Sequence, residues 1–337
     1  MKIDSSLMFE PARVAGMAAE LEAAGFDGAY TFEGQSDPFI TVAAAAMNSE
    51  ELELMTSIAV AFSRTPMNLA YLGNDFQNLS KGRFILGLGA QVKAHIERRF
   101  SMPWSKPAAR MREMVQAVRA IWDCWQTGDK LNFEGEFYRH TLMSPVFAPQ
   151  PNEHGMPKIY IAGVGPVMTE VAAEVGDGYF LHPFNTALSM DQLSLAAIAR
   201  GLGKADKPRG DYEVSAQVIT ATGLEEESMN AAIASARNQI AFYASTPAYL
   251  PVLKCHGWED LQTDANQMMR EGKWAELNNL IDDDILNTFA VVGTPTEVAG
   301  KIATRFGGKV DRISPVVYQP DVALLAELRS QISQAVR

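Results

Sequence analysis

Arg83-Phe84-Ile85-Leu86-Gly87-Leu88 is apolar at every position after its arginine, with no alternation to mark a water-facing side. Strands buried on both faces read this way, and they belong to parallel sheets covered by helices. Outward from this run, short strand-type segments alternate with helical ones, the pattern of a parallel α/β fold. Residues 2–7, 28–32 and 52–62 read as strands one to three, with helices over 11–24 and 38–47 and another ending at Leu79. Strand four, 83–88, precedes a long amphipathic helix over 108–127. Strands five to eight read as 158–162, 177–181, 212–222 and 311–318, separated by helices over 166–175, 190–201 and 225–243. Thr294-Pro295-Thr296-Glu297 combines a Thr N-cap, Pro at the first helical position and Glu at the third, starting a helix that runs to Phe306. A terminal helix covers 323–336.

Eight strands with intervening helices make a (β/α)8 TIM barrel, here a single domain over 1–337 with two departures from the repeat. Residues 130–133 and 136–141 form a hairpin excursion after strand four, turning at Gly135. Residues 245–290 read as short helices, a helical insertion before strand eight. Chemistry in this fold sits at the carboxyl ends of the strands. That directs attention to residues 33–37, 57–62, 89–99, 163–166, 182–184 and 318–319.

Composition narrows the function classes. With 47% hydrophobic and 20% charged residues, the chain is an ordinary globular enzyme in make-up. Its start lacks an apolar core of signal-peptide length, and its longest apolar stretch, 42–47, is far too short to span a bilayer. Cys124 and Cys255 are expected as free buried thiols in a reducing cytoplasm, with no membrane association. A net charge of −11 argues against nucleic acid as a partner and leaves a small molecule. One region breaks the acidic average: Lys93, Arg98, Arg99, Lys106, Arg110 and Arg112, with Glu97 the only acid among them. It is either a solvated basic face or an electropositive rim that draws an anionic ligand into a cleft.

Two glycine pairs fall at strand ends. Gly87-Leu88-Gly89 closes strand four, and Gly163-Val164-Gly165-Pro166 joins strand five to its helix. Neither is a Rossmann fingerprint. The second is either a plain βα turn or a place where backbone N–H groups at a helix start meet a phosphate. His95 and Glu97, two apart on the loop after strand four, suit a proton donor and its orienting base, or simply a helix-start face. His182 ends strand six and either touches a ligand or is a satisfied half-buried histidine. Five scattered histidines with no His-x-His, His-Glu-x-x-His or Cys-x-x-Cys spacing give no metal site. There is no Walker-A loop and no nucleophile elbow.

Residues 79–89, Leu-Ser-Lys-Gly-Arg-Phe-Ile-Leu-Gly-Leu-Gly, resemble the strand-four signature of the luciferase-like monooxygenase superfamily. Asp37-Pro38-Phe39, residues 61–66 (AFSRTP), 91–104 (QVKAHIERRFSMPW) and 161–166 (IAGVGP) are similar to its F420-dependent oxidoreductases. Residues 239–243, 246–249 and 256–258 extend the likeness into the insertion. The resemblance implies a non-proline cis peptide under the cofactor ring, its counterpart falling near Ser57-Ile58. It places Asp37 by the ring, Gly89 and Ala90 as strand-four contacts, and Ala162, Gly163, Val164 and Gly165 around the phosphate.

Two departures from related branches matter. FMN-using luciferases carry a phosphate-binding arginine where this chain has Ala90. The sugar-phosphate dehydrogenase branch has a histidine and a glutamate where this chain has Pro38 and Val92. The implied function is hydride transfer between coenzyme F420 and an organic substrate; from their place after strand four His95 or Glu97 is expected as the proton relay, and from the end of strand six His182 is expected beside the cofactor. FMN-dependent monooxygenation on the same fold is the alternative, and a non-catalytic flavin or deazaflavin binder is a second one. A homodimer is expected from the resemblance.

Overall fold

A computed structural model of the chain describes residues 1–7, 11–318 and 321–336, so Gln319 of the expected strand-eight end lies outside them. Its strands are β1 (Lys2–Ser6), β2 (Gly28–Thr31), β3 (Glu53–Thr56), β4 (Ala59–Val60), β5 (Phe84–Gly89), β6 (Phe133–Glu134), β7 (Arg139–His140), β8 (Lys158–Gly163), β9 (Gly178–Leu181), β10 (Glu213–Ala221), β11 (Val291–Val292) and β12 (Arg312–Val316). Parallel pairing runs β1, β2, β3 with β4, β5, β8, β9, β10, β12 and back to β1, which closes a (β/α)8 barrel. Ile3 faces Ile313 across the closing seam. The short β11 continues alongside β10 at Thr220 and Ala221, beyond the last β10–β12 pair at Ile219. Two residues are too few to leave a strand pattern in sequence.

Strand three, expected unbroken over 52–62, is interrupted. Its two pieces flank a cis peptide at Ser57–Ile58, and a 3-10 turn follows at Ala61–Ser63. The bulge explains the glycines of the facing strand. A Cβ on Gly87 would lie 1.7 Å from the Thr56 carbonyl oxygen, and one on Gly89 would lie 2.7 Å from the Ile58 side chain. Only hydrogen fits at Gly87 as the strands stand, and a Cβ at Gly89 would require the Ile58 side chain to shift.

The barrel is filled in layers. At its amino end Arg312, whose side chain is wholly buried, pairs with Asp4 at 2.6 Å and also binds Glu53. Lys2 meets Glu53 at 2.8 Å and Lys158 meets Glu213 at 2.7 Å. Burial opposes the Arg312 charge, but the Asp4 and Glu53 carboxylates prevail and hold the guanidinium above its usual range. Above this ionic floor Tyr30, Met55, Ile85, Tyr160 and Phe180 pack as an inner core. The strand-four signature serves the same closed end. Ser80 Oγ accepts from the Arg83 N–H at 3.2 Å, and Arg83 donates to the Leu52 and Ser49 carbonyls at 2.6 and 2.8 Å. Conserving the fold, rather than contacting a ligand, is what that end of a barrel does.

Several expected boundaries move for local reasons. The hairpin keeps only the pairs Phe133–His140 and Glu134–Arg139. Glu113 takes the N–H groups of Glu136, Phe137 and Tyr138 at 2.9, 2.7 and 2.6 Å, so they are lost to the ladder. The helix expected over 190–201 begins at Ala187, where Thr186 and Ser189 form a capping box, and runs through a π turn to Lys204. Residues 93–98, expected as loop, form a short helix. The cap at Thr294 and Glu297 is a true capping box. Trp122 and Trp125 are buried against the barrel, and both cysteines are free. Between β10 and β11 the chain is helical at Glu226–Ala244, Leu250–Lys254, Glu259–Arg270 and Asp283–Phe289, around a second apolar cluster that includes Ile240, Leu253 and Phe289. Among the described residues no helix is long and apolar enough to cross a membrane.

Candidate active site

The carboxyl ends of the strands surround one mouth, and the glycine turn after β8 forms part of its wall. Gly165 is the N-cap of the helix Pro166–Val175, with extended backbone, no side-chain cap and no acid in the first turn. Among the described residues no side chain caps its first N–H groups or sets an acid in its first turn against the positive end of the helix dipole. A Cβ on Gly165 would meet nothing within 4 Å, whereas one on Gly163 would press Met168 at 2.8 Å. Tyr179 of β9 braces the turn by donating to the Gly163 carbonyl oxygen. Gly163, Val164, His182 and Asn185 line a cleft here. Asn185 donates to the His182 carbonyl at 2.6 Å, while its buried side-chain oxygen has no partner. An open backbone cradle with an uncapped helix start suits a phosphate.

Across the mouth lies the strand-three bulge. Ser57 N–H donates to the Thr31 carbonyl at 2.6 Å, and the Ile58 carbonyl accepts from the Glu33 N–H at 3.0 Å. Gln217, inward on β10, donates to Ser57 Oγ at 3.0 Å. Gly89 and half-buried Ala90 border the bulge and bring no charge to it. Ser57, Ile58, Gly89, Ala90 and Ala162 thus share the mouth. Sequence reasoning missed Gln217, though an amide within the run Glu213–Ala221, inward with Ser215, was a usable signal.

Asp37 is the N-cap of the helix Pro38–Ala46. One carboxylate oxygen accepts from Phe39 N–H at 2.9 Å, and the other binds Arg64 at 2.7 Å. Arg64 also binds Glu33 at 2.6 Å, and Glu33 accepts from the Val60 N–H at 2.8 Å. Asp37 is therefore occupied in holding the rim together, and Arg64 is the residue that does so.

His95 and Glu97 do not form the pair their spacing suggests. On the helix Lys93–Arg98, residues two apart point to different sides, and both are exposed. Glu97 instead faces Lys93 at 3.8 Å. The basic stretch around them is largely spent within the protein. Arg110 is buried against Phe62 and Tyr138, Arg112 pairs with Glu174 at 2.7 Å, and Lys106 pairs with Glu136 at 2.6 Å. Arg99 donates to the Gly34 carbonyl at 3.0 Å, fastening its helix to the rim.

His182 is half-buried at the end of β9, with Tyr249 stacked on its ring at 4.6 Å and Tyr243 at its edge at 4.8 Å. Burial pushes its imidazolium down to about 3, so the ring is neutral near pH 7. Among the described residues no group of three or more His, Cys, Asp or Glu could hold a metal ion.

A model of the family described as luciferase-like monooxygenase matches residues 3–312. An uncharacterised protein of Mycobacterium tuberculosis (strain ATCC 25618 / H37Rv) is 48% identical over 316 residues, covering 94% of this chain and 93% of that one. The 5,10-methylenetetrahydromethanopterin reductase of Archaeoglobus fulgidus is 27% identical over 266 residues, 76% of this chain and 74% of that one. The coenzyme F420 dependent tetrahydromethanopterin reductase from Methanopyrus kandleri superposes with a TM-score of 0.79 at 20% identity, over 98% of this chain and 97% of that one. That last likeness is one of fold. Family and fold point to an oxidoreductase or a monooxygenase. With its barrel, its strand-three bulge and the family match over 3–312, the chain belongs to the luciferase-like monooxygenase family.

Proposed function

We propose that this chain is an F420-dependent oxidoreductase, moving a hydride between the deazaflavin and a small organic substrate at the barrel mouth. The observation that carries the proposal is the cradle at Gly165, open where a Cβ would stand and with no acid in the first turn of its helix, while Ala90 brings no charge to the end of β5. A sequence relative, the F420-dependent glucose-6-phosphate dehydrogenase of Nocardia farcinica, 30% identical over 219 residues and 60% of this chain, supports the choice of cofactor.

The deazaflavin, when bound, supplies the two-electron hydride chemistry. The protein's part is binding and orientation. N–H groups of the turn and the first helical residues would hold the phosphate, and the Ser57–Ile58 bulge with Gly89 and Ala162 would form the bed for the ring. Gln217 holds Ser57 in place on that bed. Arg64 keeps Asp37 and Glu33 fixed at the rim, which preserves the shape of the opening.

The proposal is tested by mixing the protein and reduced F420 with a panel of ketones, aldehydes, imines and activated alkenes, and following deazaflavin oxidation. Substrate-dependent oxidation supports it. Oxygen uptake that requires reduced FMN identifies a monooxygenase instead. Tight cofactor binding with no turnover across the panel identifies a binding protein without catalysis.

A further inference from the structure

The helical stretch after β10 brings two phenols against His182, an imidazole with both ring nitrogens engaged. Tyr249 lies 28° from parallel to its ring, and Tyr243 stands edge-on to Tyr249 at 5.7 Å. Phe184 packs against both phenols, at 5.5 Å from Tyr249 and 5.9 Å from Tyr243. His182 and Phe184 line the cleft beside Gly163 and Val164, and with Tyr243 and Tyr249 half-buried against them the cluster is not sealed within the core.

Hydrogen bonds fix where the protons lie. The Phe184 N–H donates to His182 Nδ1 at 3.0 Å, which makes that nitrogen the acceptor. A neutral ring then carries its proton on Nε2. Nε2 is 3.0 Å from Tyr249 Oη, so the phenol oxygen accepts there. Among the described residues Tyr249 Oη has no second partner, and its own proton is left to point away from the imidazole. Burial raises the pKa of Tyr249 and carries that of Tyr243 up to about 12, so both are neutral phenols. Among the described residues no cationic side chain contacts the cluster, so an anionic substrate group would find no counter-charge in it.

We propose that Tyr249 is the proton donor to the hydride acceptor, that His182 is its positioning residue, and that the substrate is an uncharged carbonyl or imine compound. This rests on the deazaflavin reading above. For a ketone, the carbonyl carbon would gain its new C–H bond as a C–H bond of the reduced deazaflavin breaks with both electrons, leaving that cofactor oxidised. The C=O π pair moves to oxygen, which takes the Tyr249 proton and becomes a hydroxyl. The phenolate left behind accepts the His182 Nε2–H hydrogen bond and recovers a proton from water. An imidazole that donates to the phenol, rather than accepting from it, stabilises the phenolate without taking its proton first.

Two experiments test this. In the first, the cofactor-free protein is labelled with 15N-histidine. NMR is expected to show His182 neutral, protonated on Nε2, from about pH 5 to 8 in the parent and in Tyr249→Phe. A proton on Nδ1, or titration near pH 6.5, overturns the positioning role. In the second, F420-loaded protein is followed in single turnover with a panel of small ketones, aldehydes and imines headed by cyclohexanone, and with activated alkenes alongside. Tyr249→Phe is expected to fold normally, keep its cofactor affinity and slow hydride transfer at least ~10²-fold, with loss of the solvent isotope effect. His182→Gln, whose amide can donate to the same phenol, is expected to retain more rate than His182→Ala. Full rate in Tyr249→Phe overturns the donor assignment, and equal rates in the two His182 variants overturn the positioning role. A parent that binds F420 and reduces activated alkenes but no ketone, aldehyde or imine overturns the carbonyl and imine class, whereas one that binds F420 and reduces none of these overturns the functional reading itself. A parent that fails to bind F420 overturns the functional reading and this donor with it, whatever the tautomer.

Discussion

Arg64 donates to Asp37 at 2.7 Å and with its other terminal nitrogen to Glu33 at 2.6 Å, tying the rim that follows β2 to the rim that follows β4. The side chains of Arg64 and Glu33 are only 13% and 8% exposed, so neither charge is well served by water alone. Arg64→Met is expected to destabilise the fold by about 3 kcal/mol, the low end for breaking a buried pair. Cofactor affinity should fall with it, because the rim loses its brace. Urea unfolding and cofactor titration measure both effects. An unchanged unfolding midpoint would show the pair to be a surface ornament.

Gly165→Leu separates the cradle from the fold. The space around a Cβ there is open and the backbone is extended, so the larger residue should fit without loss of stability. Its side chain would occupy the place assigned to the phosphate. Cofactor affinity is expected to fall tenfold or more, about 1.4 kcal/mol, at an unchanged melting temperature. Normal binding by the folded variant would make the turn purely structural.

Gly87→Ala has the opposite signature. With the Thr56 carbonyl oxygen 1.7 Å from the added Cβ, strand four or the bulge must shift. Overpacking of this kind costs about 1–3 kcal/mol, and here the upper end is expected. Chemical denaturation of the variant checks it, and a neutral result would mean that the bulge yields freely.

His182 and Glu213, beside His140, His256, Glu53 and Glu22, shape the acid side of stability. Burial lowers the His182 pKa from 6.5 to about 3, so only the unfolded chain takes up its proton within that range. Stability is thus lost as pH falls from about 6.5 toward 3. Burial pushes Glu213 upward, but the Lys158 ammonium and the Tyr160 hydroxyl outweigh it and lower the pKa from 4.5 to about 2. Its contribution is present above 4.5 and is lost as pH falls toward 2. His182→Gln should flatten the stability profile between about pH 6.5 and 4.5, and Glu213→Gln should flatten it below. Unfolding curves across the series decide; a His182→Gln profile parallel to the parent above pH 4.5 would contradict the neutral buried imidazole.

The barrel was legible because buried parallel strands such as Phe84–Gly89 leave continuous apolar runs, and because Thr294 to Glu297 spells its own cap. The resemblance carried the bulge, which no propensity of Ser57 or Ile58 announces. What stayed hidden depends on distant partners. His182 and Tyr249 are 67 residues apart, so no local pattern joins them. Arg64 stood within a recognised run, yet its grip on Glu33 and Asp37 appears only when the loop after β2 meets the turn after β4. His95 and Glu97 looked like a pair because a loop was expected; on a helix their spacing sends them apart.

The most direct measurement is equilibrium titration of the purified chain with coenzyme F420 and, separately, with FMN, each followed by cofactor fluorescence. One F420 per chain is expected, bound at least about tenfold more tightly than FMN, with the difference retained when the two compete. Stoichiometric FMN carried through purification, with no measurable affinity for F420, would contradict the assignment.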